Sequence, residues 1–405
     1  MWGRVLVFSV FALVYIGMVV GRFPRLAMDR TGIVVIGAIV LAVCGKASLG
    51  GGRSGIDVPT LLLLFGFMVI SGQFRLGGFY SEVARKLAAL PLSPELLLGA
   101  VVAVSGILSA LLTNDVVCLA VTPVLGNGCV RKRLNPLPFL LALACAANIG
   151  SAATLMGNPQ NMLIGQYLAL SFRGYLIFAI PPTVLSLFLL WVIAVVLFRG
   201  KWTLEIRAEP APERPFDRRQ TIKAAAVLGV VVLLFLFSPF SRETVALAGA
   251  GVLLFSRTME SRRTLDMVDW QLLVLFMGLF VVNAAFESAG GLEVIRELLG
   301  RGGISLSSPP WLYAVTTVLS NLVSNVPAVM LLLPLVKGIH LAGPILALSS
   351  TFAGNLIIVG SIANIIVVGE AARLGIPIDW KQHARLGVPV TAASLAAGLL
   401  CMRLF

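Results

Sequence analysis

The sequence predicts an all-α polytopic membrane protein made of two inverted five-helix repeats, each with a re-entrant helical hairpin and a broken transmembrane helix. Three observations predict it. The 405 residues are 58% hydrophobic and only 12% charged, with a mean hydropathy of +0.98, outside the range of soluble domains. Ten apolar runs reach the roughly 20 residues that a spanning helix needs. The chain also matches itself: a shift of 211 lays SALLTND (Ser109 to Asp115) on SNLVSNV (Ser320 to Val326).

The ten crossings begin near Val5, Thr31, Val58, Pro136, Gly174, Thr221, Glu243, Val268, Ala342 and His383. The run from Val5 to Val20 has no small-residue cleavage pattern and reads as the first span rather than a signal peptide. Two further apolar stretches, about 95–128 and 309–338, are each interrupted at the middle, by Thr113-Asn114-Asp115 and by Ser324-Asn325-Val326-Pro327. Two short helices per stretch would enter the membrane and leave on the same side, an arrangement permitted only where protein or water meets the tip.

The basic residues support that arrangement. With both stretches re-entrant, 22 Lys and Arg fall on one side and 9 on the other. Full crossings would swap the loops between Arg131 and Lys337 and weaken the asymmetry. The positive-inside rule then puts the loop at 199–223 in the cytoplasm and both termini outside it. The formal charge of +13 is therefore a topology signal in a bacterial-type inner membrane, not a nucleic-acid surface.

The proline-bearing, charged segment 199–220 reads as a cytoplasmic linker between repeats at 1–198 and 221–405. The shift of 211 places Asn114 on Asn325, Phe65 on Phe276, Pro123 on Pro334 and EVARKL (Glu82 to Leu87) on EVIREL (Glu293 to Leu298). After each hairpin a shift of 203 lays GNPQN (Gly157 to Asn161) on GSIAN (Gly360 to Asn364), inside broken helices at about 136–170 and 342–373. An odd number of crossings per repeat inverts the second, the architecture of secondary transporters with a site near the midplane.

Candidate solute and ion ligands follow from the polar knots. An Asp at the centre of a lipid-facing helix costs roughly 2.5–3.5 kcal/mol, so Asp115, the one carboxylate in either tip, is the candidate proton or cation carrier. The plain alternative for Asp115, Asn114 or Thr113 is a helix N-cap. A broken helix also presents amide N–H groups to an anion or an oxygen-rich ligand. Asn148, Ser151 and Thr154 recur at helical spacing, and Gly157, Asn158, Pro159 and Asn161 break the helix that carries them. Asn355, Gly360, Ser361 and Asn364 are the second-half counterparts, with interhelical packing the plain reading of Asn161 and Asn364.

Glu287 and Glu370 read as snorkelling helix-end acids, and His340 and His383 as isolated loop-end residues. The five scattered cysteines pack as small apolar residues and form neither metal site nor disulfide. No Walker A pattern and no nucleophile with a base partner is present, so the chain is read as neither a primary pump by itself nor an enzyme. No cofactor is expected beyond a coupling H+ or Na+.

The combination of LLTNDVVCLAVTPVL, LVSNVPAVMLLLPLV, ATLMGNPQNMLI and IVGSIANIIVV resembles the ion transporter superfamily of arsenite/antimonite permeases, sodium/proton antiporters and divalent anion/sodium symporters. The resemblance covers nearly the whole chain. It implies an elevator-type homodimer in which hairpin tips and broken helices surround the solute, with Asn114 and Asn325 as tip asparagines and Asn161 and Asn364 closing the knots. An accessory ATPase subunit stays open as a partner.

The Asn114-Asp115 dipeptide resembles the arsenite permease branch, whereas GNPQN looks more like the carboxylate symporters. Three functions follow: export of a small inorganic solute such as arsenite or antimonite by proton antiport, sodium-coupled uptake of a carboxylate or other anion, and sodium/proton antiport. The first is preferred because no Lys or Arg lies in any site motif.

Overall fold

The computed structural model describes residues 2–21, 28–47, 55–203, 215–255 and 260–403, all helical or connecting segments with no strand among them. The first half comprises α1 (Trp2–Val20), α2 (Arg30–Val43), α3 (Val58–Leu76), α4 (Phe79–Ala89), α5 (Pro94–Leu111), α6 (Asn114–Arg131), α7 (Pro136–Ser151), α8 (Pro159–Tyr167) and α9 (Phe172–Leu197). The second comprises α10 (Arg218–Phe237), α11 (Arg242–Leu254), α12 (Ser261–Leu265), α13 (Trp270–Ser288), α14 (Gly291–Arg301), α15 (Pro309–Val323), α16 (Asn325–Val336), α17 (Ala342–Ala353), a 3-10 turn (Ile358–Gly360), α18 (Ile362–Arg373) and α19 (Trp380–Met402).

Local chemistry sets these boundaries. Asp29, Asp57, Asp269 and Asp379 each stand before an apolar run and accept a hydrogen bond from the first helical turn, at 2.8, 3.1, 2.9 and 2.7 Å. Proline at the first position starts α5, α7, α8 and α15, where its missing N–H costs nothing. Among the described residues seven helices are long and apolar enough to cross a membrane, and one of them is the 18-residue α5, an arm of the first interrupted stretch that the sequence reads as two short helices. The helices at 30–43 and 242–254, read as full crossings, have only 14 and 13 residues.

Both interrupted stretches are helical hairpins, α5/α6 and α15/α16, and the two ends of the first meet: Lys132 Nζ donates to the Leu90 carbonyl at 2.6 Å. Both long polar-knotted segments are broken, into α7/α8 and α17/α18. The order of elements therefore recurs, a long helix (α3, α13), a short amphipathic one (α4, α14), a hairpin, a broken pair and a long closing helix (α9, α19). The short amphipathic helices are additions to the ten expected crossings. They cover EVARKL and EVIREL, whose charged residues form i,i+3 ion pairs such as Arg85–Glu82 at 2.7 Å.

Packing divides the helices into two groups. α2 packs on α13, and α3 on α10 and α11; α5, α6 and α9 pack on α7, and α15 and α19 on α17. At the centre lie α7, buried from Pro138 to Ser151, and α17, buried over its whole length. α5 and α7 touch backbone to backbone at Gly106 and Gly150, where a Cβ on Gly150 would collide with the opposing main chain. The outer faces present apolar side chains such as Val184, Phe188 and Leu233.

Of the segment read as a linker, residues 204–214 lie outside the described residues. Its ends are tied down: Asn135 N donates to Trp202 O at 2.7 Å and Asp217 N to Gly77 O at 3.0 Å.

Candidate functional site

The polar centre is assembled from the ends of short helices. α7 stops at Ser151, the chain reverses through 152–158, and α8 restarts at Pro159 with Asn158 as its cap, its Oδ1 accepting from Asn161 N at 2.8 Å. Asn161 Nδ2 turns back to the carbonyls of Ser151 (3.3 Å) and Thr154 (2.9 Å), which have no partner within the helix that ended.

The second break is closed the same way. Ser361 Oγ accepts from Ala363 N at 3.2 Å, and Asn364 Nδ2 donates to the carbonyls of Gly354 (2.8 Å) and Ile357 (3.2 Å). Each of these acceptors is its first-half counterpart moved by 203. Gly157 is obligatory in its reversal: a Cβ there would lie 2.7 Å from the Ser109 carbonyl oxygen of the hairpin.

The two breaks bond to each other. Asn148 Nδ2 donates to Asn355 Oδ1 (2.8 Å) and Asn364 Oδ1 (3.0 Å), while Asn148 Oδ1 accepts from Ser361 Oγ (2.8 Å) and Asn114 Nδ2 (3.2 Å). Asn158 Nδ2 reaches Thr351 Oγ1 at 3.3 Å. At the shift of 203, Asn148 corresponds to Thr351 and Asn158 to Ser361, so the contacts Asn148–Ser361 and Asn158–Thr351 are reciprocal, as two copies related by a twofold axis would make them.

The hairpin tips close over this centre by different backbones. The first passes through extended Leu112 and Thr113, and Asn114 N donates to Gly157 O at 3.1 Å. The second turns on Ser324 alone, at φ 76° and ψ 161°, a region that is essentially glycine's. Asn325 Oδ1 accepts from Ser320 Oγ at 2.9 Å.

Asp115 is half-buried in the first turn of α6, where the helix dipole favours its charge. It does not cap. Its own N–H bonds to Asn114 Oδ1 at 3.0 Å, and among the described residues its carboxylate has no cationic partner. The amide oxygen of Asn161, the amide nitrogen of Asn355 and the hydroxyl of Ser109 are buried without a hydrogen-bond partner. Such atoms, at the meeting point of four helix ends, leave hydrogen-bonding capacity that a polar solute or ion could use.

A family model described as that of a citrate transporter, CitMHS, matches residues 11–353. The chain belongs to the CitMHS transporter family. It is 31% identical over 427 residues to an uncharacterized transporter of Mycobacterium tuberculosis, covering 97% of this chain and 99% of that one. It is 28% identical to the rice silicon efflux transporter, covering 93% of each. A solved structure, the YdaH transporter of Alcanivorax borkumensis, superposes with a TM-score of 0.63 over 99% of this chain and 96% of that one, at 16% identity, and so shares the fold.

This CitMHS protein is thus a multi-pass secondary transporter of the ion transporter superfamily and not an enzyme. Its structure brings Asn114, Asn148, Asn158, Ser361, Asn355 and Asn364 into one hydrogen-bonded cluster, closed from within by Asn161 and Gly157. Asn325, Ser324 and Gly360 lie at its second-half edge, where the Asn325 amide adjoins Gly354. Thr113 is turned away, its hydroxyl 3.4 Å from that of Ser71.

Thr154 departs from expectation. It lies past the end of α7, so its oxygen does not share a face with Asn148 and Ser151, and it donates instead to the Ala110 carbonyl of the hairpin at 2.6 Å. His383 is a second correction. It is not at a loop end but in the first turn of α19, 1% exposed, with Nε2 3.0 Å from the Asn355 carbonyl oxygen. Thr351 was also missed, although the shift of 203 lays it on Asn148.

Glu370 pairs with Arg373 at 2.6 Å, and Glu287 is exposed at the end of α13. Among the described residues no group of His, Cys, Asp or Glu is arranged for a metal, and the cysteines are free, four of them buried.

Proposed function

We propose that this CitMHS transporter exports a small, uncharged, polyhydroxylated inorganic solute of the arsenite or antimonite type in exchange for protons. One observation carries the reading. The side chains hydrogen-bonded to one another in the central cluster are all uncharged amides or hydroxyls, and no Lys or Arg is bonded to them among the described residues; the imidazole of His383 reaches only the Asn355 main chain. A di- or tricarboxylate would arrive there with no cation to neutralise it. A solute bearing several hydroxyl groups is matched donor for acceptor. The relative named for silicon efflux supports a hydroxylated metalloid as the class.

Coupling falls to Asp115, the one acid at the tips, which would be protonated on one side of the membrane and ionised on the other. The reciprocal contacts Asn148–Ser361 and Asn158–Thr351 support two inverted repeats, about 1–198 and 221–405, joined by a cytoplasmic linker. The hairpins are re-entrant, and the group of helices around α7 and α17 moves as an elevator against the group around α3 and α13. The protein works as a homodimer in the inner membrane with both termini outside the cytoplasm.

The family description favours a second reading, sodium-coupled uptake of a carboxylate, with carbonyls at the breaks holding the cation. Sodium/proton antiport through Asp115 is a third. Proteoliposomes with an imposed pH gradient separate them. Arsenite movement that persists without sodium supports export by proton antiport, and sodium-dependent citrate uptake without arsenite movement replaces it with the second reading. Proton release driven by sodium alone selects the third. Asp115→Asn is expected to retain arsenite exchange and lose gradient-driven transport; full gradient-driven transport by that variant would leave the carboxylate without a coupling role.

A further inference from the structure

The imidazole of His383 is bonded to the backbone of the second break, as the Tyr175 hydroxyl is to that of the first, where it donates to the Ala152 carbonyl at 2.7 Å. Nε2 lies 3.0 Å from the main-chain oxygen of Asn355. A carbonyl only accepts, so that nitrogen carries the proton. Asn355 lies two residues beyond the end of α17, where carbonyls lose their intrahelical partners, and His383 supplies the missing donor. Gly387, one turn further along α19, packs on the same oxygen so closely that no Cβ fits.

From Asn355 the bonds continue without interruption. Its Oδ1 accepts from Asn148 Nδ2, whose Oδ1 accepts from Asn114 Nδ2, and Asn114 Oδ1 receives the N–H of Asp115. A single chain of amides thus runs from His383 to the residue assigned to coupling. Few other titratable groups compete for control of the imidazole. Of the elements packed on α19, α17 and the 3-10 turn carry none, α7 carries only Cys145, α9 carries Arg173 and Tyr175, and α15 carries Tyr313, which donates to the Leu395 carbonyl at 3.0 Å. On α19 itself Asp379, Lys381 and Arg385 are exposed.

We propose that His383 is a positioning residue of the solute site: it holds the Asn355 carbonyl, thereby orients the amide chain, and makes solute affinity depend on its own protonation. The imidazole takes up one proton at Nδ1 and keeps the Nε2–H, so the bond to Asn355 becomes charge-assisted and tighter. Acid therefore holds the amides in the arrangement seen here, and alkali loosens them. This rests on the amide cluster being the solute site.

The test uses the full chain in proteoliposomes and arsenite counterflow without a pH gradient, measured from about pH 4.5 to about pH 8. KM is expected to rise about fivefold over that range in the unaltered protein. His383→Gln, which keeps an N–H donor, should transport with a KM that no longer responds to pH. His383→Leu should have a raised KM throughout. A His383→Gln protein with the unaltered pH profile overturns the proposal.

Should arsenite not be exchanged at all, the substrate reading falls, and a measurement without solute decides His383. The chain has two histidines, so His340→Gln leaves one set of imidazole 15N signals. Titration of those signals in step with the Asn355 carbonyl 13C resonance upholds the proposal. Signals that do not titrate between about pH 4.5 and about pH 8.5, or that move without Asn355, overturn it.

Discussion

Asn161 and Asn364 show how much one side chain carries in a broken helix. Each donates two hydrogen bonds to carbonyls left over where a helix stops, in surroundings without bulk water. Leaving a buried carbonyl unsatisfied costs roughly 1–3 kcal/mol, so Asn161→Ala and Asn364→Ala should each lower stability by about 2–4 kcal/mol. Thermal unfolding in detergent should show a loss for each, because the two bonds to the break carbonyls recur in both, although Asn364 Oδ1 also accepts from Asn148 and Asn161 Nδ2 also reaches Tyr175 Oη. Ser324 should behave in the opposite way. Its φ of 76° with ψ of 161° costs about 1–3 kcal/mol for a residue with a Cβ, so Ser324→Gly should raise the unfolding temperature and Ser324→Val lower it. Both asparagines were legible in sequence as repeated letters before their bonds were known. His383 was not legible, because nothing in its neighbours along the chain records that it packs on a carbonyl 28 residues away. Thr154 was misplaced for a related reason: helical spacing predicts a shared face only while the helix continues, and α7 ends three residues before it.

At the scale of elements, the second half of the first broken helix is held from outside its own group. Arg242 Nη2 donates to the Gly165 carbonyl at 2.5 Å, and Gln166 Nε2 donates to Glu243 Oε2 at 2.8 Å, so consecutive residues opening α11 grip consecutive residues near the end of α8. A polar cavity of about 410 Å³ lies beside this grip, lined by Asp57, Ser241 and the same side chains. If α8 travels with the moving group, a cross-link between Gln166→Cys and Glu243→Cys, in a chain with its five native cysteines replaced, should stop solute movement until it is reduced. Unchanged transport by the cross-linked protein would show that α8 and α11 move together. Hairpins and breaks were legible in sequence because polar residues interrupt apolar runs of the wrong length for one span. The short helices α4 and α14 were not, since their apolar stripe is only one face wide and their charges resemble those of a loop.

At the scale of the molecule, the charge count and the structure sort the connections in the same way. Arg4, adjoining Gly290, and Lys46, adjoining Gly3, meet at one end of the molecule. Thr221, adjoining Gly77, and the Lys132–Leu90 contact belong to connections assigned to the other side. A reporter fused after Phe405 should accordingly be active outside the cytoplasm, and cytoplasmic activity would reverse the proposed orientation without altering the fold. The sequence by itself determined the membrane class, the two hairpins and the two breaks, because each depends on composition or on polar residues that interrupt apolar runs along the chain. Only the tertiary structure decided that Asn148 is the hub joining both halves, that Thr351 answers Asn158, and that Asp115 does not cap its helix. It also decided that His383 touches the second break. Those are contacts between segments up to about 200 residues apart, and no periodicity along one chain encodes which buried polar atoms find each other across packed helices.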